Sequence, residues 1–157
     1  MTKLKRATSE DLDFRNLVKL LDQDLAIRNG KQNDFYAQFN KIDSIKYVVV
    51  YYDNDVAVGC GAFKPFNSET VEIKRMYVKQ DFRGKGIGAA ILSELELWAT
   101  EINYFNCILE TGHANPEAKK LYQKEGYVII PNFGQYVNVA NSVCMKKVIK
   151  QITNSNL

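Results

Sequence analysis

No stretch of about 18 consecutive apolar residues occurs in this 157-residue chain, so the sequence offers no candidate for a membrane-spanning helix. The opening segment MTKLKRATSEDLDF has no apolar centre, which argues against a secretion signal and predicts a cytoplasmic location. Histidine occurs once, as His113, and the three cysteines, Cys60, Cys107 and Cys144, form no Cys-x-x-Cys pair. Too few soft ligands remain for a structural zinc site, so no metal is expected. Each cysteine lies in an apolar or strand-like run, which predicts buried, reduced thiols. There are three prolines, and no linker or repeat interrupts the chain. One domain over residues 1–150 with a frayed tail over 151–157 is the resulting expectation. The net charge is only +3 and the basic residues are scattered, so neither a nucleic acid nor a membrane is expected as partner.

What is present is a globular composition, 46% apolar and 25% charged. KLKRA (3–7) alternates as a strand, and Ser9, Glu10 and Asp11 look like a helix start. Leu12, Leu17, Leu20, Leu21 and Leu25 recur at helical spacing until Asn29-Gly30 stops the helix. A second short helix is expected over 33–40. IKYVVVYY (45–52) and VAVGCGAF (56–63) read as a hairpin around the turn DND, and VEIKRMYV (71–78) as the next strand. In that strand Glu72 and Lys74 share a face with Met76 and Val78, which predicts that part of the face meets solvent or a ligand. Ile87, Ile91, Leu92, Leu95 and Trp98 then form a helical apolar face. A strand NCILE (106–110), a helix opened by Asn115-Pro116 and closed by Gly126, and strands YVII (127–130) and SVCMKKVI (142–149) complete a mixed α/β sheet with helices on its faces.

The densest signal is QDFRGKGIGAAI (80–91), with glycines at 84, 86 and 88 ahead of a helix. Glycines admit positive φ and close approach of a ligand, and the free N–H groups of a helix start attract an anion. A phosphate is the expected guest, with Arg83 and Lys85 beside it. A P-loop is excluded, because Lys79 stands where its first glycine belongs and Gly86 where its Ser or Thr belongs. A dinucleotide fingerprint G-x-G-x-x-A can be written over Gly84, Gly86 and Ala89, with Glu110 ending the next strand. A half-charged strand followed by KQDFR fits that fingerprint poorly.

Strand VEIKRMYV, turn RGKGIGA and the following helix resemble the acetyl-CoA-binding motif of the GNAT superfamily of N-acetyltransferases, R/Q-x-x-G-x-G/A, through Arg83, Gly86 and Gly88. ETGHANPEAKKLYQKEGY resembles the second conserved region of that family through Asn115, Ala118, Leu121, Tyr122, Gly126 and Tyr127. The resemblance covers about 46–149, and it implies a mostly antiparallel twisted sheet flanked by helices, the acyl-CoA N-acyltransferase fold. It further implies that the turn amides over Arg83, Gly84, Lys85, Gly86, Ile87 and Gly88 hold the pyrophosphate of acetyl-CoA. The backbone of Met76, Tyr77 and Val78 would pair with the pantetheine arm, with Asn115 capping its helix and reaching the arm.

Direct transfer needs an acid for the departing thiolate and a base for the amine. By the resemblance, Tyr122 is the acid, and Glu72 serves as base through water; His113 is a weaker base candidate. The expected reaction is acetylation of a small-molecule primary amine. A non-catalytic acyl-CoA sensor and acetylation of a protein amine remain as alternatives. Arg28, Lys31 and Lys46 hint at an acceptor carboxylate, and Phe35, Tyr36, Phe39, Phe133 and Tyr136 at pocket walls, although surface charge and core packing explain both sets as well. Homodimers are frequent in the resembled family, so self-association enters as an expectation that no residue here demonstrates.

Overall fold

The computed structural model of the chain describes residues 1–30 and 45–150; the helix expected over 33–40 and the tail over 151–157 lie outside them. Strands β1 (Thr2–Ala7), β2 (Tyr47–Asp53), β3 (Val56–Pro65), β4 (Thr70–Val78), β5 (Asn106–Gly112), β6 (Val128–Ile130) and β7 (Ser142–Val148) form one sheet in the order β1-β2-β3-β4-β5-β7-β6. The described helices are α1 (Leu12–Asn29), α2 (Ile87–Glu101) and α3 (Pro116–Lys124). The pairs β1–β2, β2–β3, β5–β7 and β6–β7 are antiparallel, while β4 and β5 are parallel, with α2 as the crossover that a parallel pair requires. This is the expected mixed, mostly antiparallel sheet. No described helix is long and apolar enough to cross a membrane.

Two compact units divide the chain, Met1–Lys64 with Lys74–Leu95, and Pro65–Ile73 with the residues from Glu96 onward. In the first, Asp11 caps α1 by accepting from Phe14 N at 2.9 Å, and Gly30 closes the helix at φ +53°. The buried stripe of α1 is Phe14, Leu17, Val18 and Leu21, packed on Val48, Val50, Cys60 and Ala62. Leu12 and Leu20, expected in that stripe, are exposed: positions 14, 17, 18 and 21 fall on one 3.6-residue face, and 12 and 20 lie off it. The β2–β3 hairpin turns on Asn54 and Asp55, both at positive φ, as a two-residue turn matched to strand twist requires. On β3, methyl groups at Gly59 and Gly61 would collide with Ile91, and at Gly61 also with Met76 and Leu95. These glycines let α2 approach the strand closely.

The second unit is built on β5 and β7, registered from Asn106↔Val148 to Gly112↔Ser142. Cys107, Leu109, Val143 and Met145 are among its buried residues. All three cysteines are free and buried, as expected. Burial pushes the Cys60 and Cys107 thiols up to about 12, in Cys60 against the opposing charge of Arg75.

Strand β4 departs from the sequence reading. Glu72, Lys74 and Arg75 are buried, so of the face expected to meet solvent or a ligand only Met76 and Val78 are part-exposed. Arg75 also adopts φ +59°, a left-handed conformation in mid-strand that interrupts the regular pleat. Simple alternation along 71–78 therefore fails at that residue.

Candidate functional site

In the first unit, β4 leads through a short 3-10 turn, Gln80–Phe82, into Arg83 and then α2. Gly84 and Gly86 take φ +78° and +82°, and a methyl group at either would meet nothing within 4 Å. Conformation, and not crowding, is what demands glycine there. The first bond of α2 runs from Ala90 N to Gly86 O at 3.0 Å, so the N–H groups of Ile87, Gly88 and Ala89 precede the helical ladder and are available to an anion. Gly88 lies within α2 itself and is not needed for positive φ. The open, methyl-free turn with its helix N–H groups fits a pyrophosphate.

Arg83 folds the turn back on its strand. Its Nε donates to Val78 O at 2.8 Å, its guanidinium lies over the Tyr77 ring at 5.5 Å, and Nη2 is 3.7 Å from Asp24 of α1. Lys85 lies over Phe82. Lys79 N donates to Val58 O at 2.8 Å, and the Tyr77 carbonyl faces Gly59, so alternate main-chain groups of β4 point at β3. Of Met76, Tyr77 and Val78, the main-chain groups of Met76 and Val78 thus point away from β3, whereas those of Tyr77 are directed toward it.

In the second unit, Glu72 pairs in register with Ile108 of β5, and Glu110 lies two residues further along the same face, opposite Cys144 of β7. Ser142 Oγ donates to Glu110 Oε2 at 2.7 Å. Tyr122 of α3 is buried and meets Tyr127 edge to face, ring centroids 5.8 Å apart. Burial, reinforced by the charge of Glu110, raises the Tyr122 phenol well above its ordinary value. Burial and then Glu110 and Glu72 do the same to Tyr136, and the same carboxylates add to the effect of burial on Cys144. Tyr122, Tyr136, Glu72 and Glu110 therefore share one electrostatic neighbourhood, and at neutral pH both phenols stay protonated.

Sequence reasoning had Tyr122 and Glu72, named Glu110 only as the end of a strand, missed Ser142, and took Tyr136 for a pocket wall or core cover. The available signal was Glu110 breaking the apolar run of β5. Tyr136 lies in a loop whose course is fixed by Asn132, which donates through Nδ2 to the carbonyls of Tyr136, Val139 and Ser142 at 3.0, 3.0 and 3.2 Å. No periodic pattern announces such a loop.

Asn115 caps α3, accepting from Ala118 N at 3.2 Å, and His113 is exposed. Arg28 is 3.6 Å from Asp24, Lys46 is exposed, and Lys31, Phe35, Tyr36 and Phe39 lie outside the described residues. Phe133 packs edge to face on Tyr136 and on Phe66.

The fold recurs in solved structures. A GNAT-family acetyltransferase from Staphylococcus aureus Mu50 superimposes with a TM-score of 0.72 at 16% identity, covering 96% of this chain and 100% of that one. The PaiA N-acetyltransferase of Thermoplasma acidophilum, solved with coenzyme A, gives 0.70 at 16% identity over 94% and 99% of the two chains. Residues 44–129 match the Acetyltransferase (GNAT) domain, and the chain belongs to that family. Among curated relatives, the uncharacterized N-acetyltransferase YsnE of Bacillus subtilis is 32% identical over 61% of this chain and 65% of its own length. An IAA acetyltransferase of Azospirillum brasilense is 33% identical over 66% and 67%. The chain spans between about half and two thirds of the length of the curated relatives it matches.

Proposed function

We propose that this protein transfers the acetyl group of acetyl-CoA directly to a primary amine of a small molecule. The carrying observation is the turn at Gly84 and Gly86, left-handed and open at the start of α2, inside the matched acetyltransferase domain. The amides from Arg83 to Gly88 hold the pyrophosphate. Met76 and Val78 offer main-chain groups to the pantetheine arm, a peptide-like guest that adds as a strand. Tyr77 supports them through its ring beneath the Arg83 guanidinium. Asn115 orders the start of α3, from which Tyr122 projects.

In the reaction the amine nitrogen attacks the thioester carbonyl carbon, an N–C bond forms, and the C–S bond breaks. Glu72 takes the amine proton through a water molecule, and Tyr122 gives its proton to the departing thiolate, to be reprotonated from solvent. A buried phenol with a raised pKa suits this role, because it holds its proton until a strong base, the thiolate, forms beside it. Burial, reinforced by the charge of Glu110, which accepts from Ser142, keeps that phenol in its protonated state.

Release of free coenzyme A from acetyl-CoA across a panel of amines tests the proposal, with Tyr122→Phe and Glu72→Gln beside the native protein. Turnover that falls in both variants is expected. Acetyl-CoA binding without turnover of any amine would replace the enzyme with a non-catalytic sensor, and acetylation confined to proteins would replace the small-molecule acceptor.

A further inference from the structure

Arg75 breaks two local rules at one residue. Its backbone is left-handed at φ +59° in the middle of β4, a conformation that a long side chain adopts only when the surroundings hold it there. The Cys60 thiol, donating to Arg75 O at 3.4 Å, is part of that hold. Its side chain is 1% exposed and carries a charge that no accessible pH removes. One donor, Nη2, pairs with Asp22 of α1, while Nε and Nη1 are buried without a hydrogen-bond partner among the described residues. A buried guanidinium with unmade bonds is costly, and packing alone would favour an apolar residue in its place. Such concentrated violations are expected where function maintains them.

From this we infer that Arg75 is the anchor for a carboxylate on the acceptor, so that the substrate class is a small amine that also carries a carboxylate. Three features favour this ligand. The unmade donors are N–H groups of a planar guanidinium, which matches carboxylate geometry. Asp22 already offsets part of the charge, leaving a site suited to a monoanion more than to a doubly charged phosphate. Asp22 itself is 55% exposed, so the guanidinium lies one hydrogen bond from the surface although its own atoms are shielded. Shielding strengthens a charge-assisted bond to whatever enters. Arg75 also directly precedes Met76, the residue proposed above to meet the coenzyme arm, which puts recognition of the acceptor beside the thioester end of the donor. Arg28, Lys31 and Lys46 were the sequence's candidates for this task, and Arg75 was not among them.

The inference rests on the acetyl-transfer reading for the amine, and the test separates the two. The twenty amino acids and their carboxamides are compared as acceptors, and their binding to the coenzyme A-saturated protein is measured by calorimetry. At least one acid should exceed its amide by about tenfold in kcat/KM and in affinity. In Arg75→Gln that preference should collapse through KM, with kcat at saturation and the KM for acetyl-CoA retained, and Arg75→Lys should restore part of it. Asp22→Asn, on a half-exposed side chain, should tighten acid binding by removing the competing carboxylate, and it decides the matter if Arg75→Gln does not fold. Equal use of acid and amide by the native protein overturns the anchor, as does a preference that persists in folded Arg75→Gln or a binding of acids that Asp22→Asn leaves unchanged. If no amine is acetylated, the transfer reading fails alone, and calorimetry still judges Arg75: acids that bind and lose affinity in Arg75→Gln support the anchor, and acids that do not bind overturn it.

Discussion

The turn from Arg83 to Gly86 is exposed and leads into a helix start at the buried Ile87; it offers a ligand mainly main-chain groups, set by two left-handed glycines. The cluster around Glu110 is buried and works with side chains, brought together from β4, β5, α3, the loop after β6 and β7. The first can be written as a contiguous motif because its geometry is local. The second exists only once the sheet has formed, since its members are linked by register and packing. On the proposed function, an anchor for the cosubstrate and a site for proton transfer are encoded in different ways, and substitutions should separate them.

The largest effect is expected from Tyr122→Phe, which removes one hydroxyl from the cluster and leaves the turn intact. Loss of a general acid lowers kcat by about 10²- to 10⁴-fold, while affinity for acetyl-CoA, measured by equilibrium titration, should stay at the native level. A comparable loss of coenzyme affinity would dissolve the distinction between anchor and proton donor.

Glycines sharpen the same comparison from the other side. Gly61→Ala forces a methyl group into Met76, Ile91 and Leu95, so it should cost about 1–3 kcal/mol of stability as overpacking. Urea unfolding reads this, and the folded fraction should bind acetyl-CoA normally. Gly86→Ala meets no neighbour and instead strains φ +82°, a penalty of about 1–2 kcal/mol. If the turn relaxes to avoid the strain, the penalty is transferred to coenzyme binding and appears as a roughly tenfold weaker Kd with kcat nearly retained. One glycine then reports on packing and the other on the anchor.

The same division explains what could be read from the sequence. Strand order along the chain, a helix start within Ser9 to Asp11, the stop at Gly30 and the turn at Gly84 and Gly86 all depend on neighbours within a few residues, and the sequence predicts each. The α1 stripe was misread because Leu12 and Leu20 are leucines in a helix, yet Phe14 and Val18 occupy the face that the sheet covers. Glu72 and Lys74 suggested a face that partly meets solvent or a ligand because burial of charge is rare, and nothing local signals that both carry their charge into the interior. The left-handed Arg75 was not legible at all, since an arginine carries no preference for that conformation.

The smallest effect should come from Ser142→Ala, which leaves every proposed reacting group in place. The hydroxyl donates to Glu110 at 2.7 Å, and its loss should cost about 1 kcal/mol and lower kcat only a few-fold, because burial, the larger cause of the raised Tyr122 pKa, is untouched and Glu110 itself stays in the chain. The alkaline side of the profile is the more informative reading. Tyr122 has a pKa raised by burial above the ordinary value of about 10, so its contribution to stability is fully present below pH 10 and is lost as pH rises through the folded value. Activity and fold should therefore show no alkaline limb from this phenol below about pH 10. If Ser142→Ala lets Glu110 swing away, one of the two influences that raise the phenol is removed, burial remains, and the limb should move slightly toward lower pH without changing affinity for acetyl-CoA. A limb that stays fixed would mean that Ser142 holds Glu110 for structure alone.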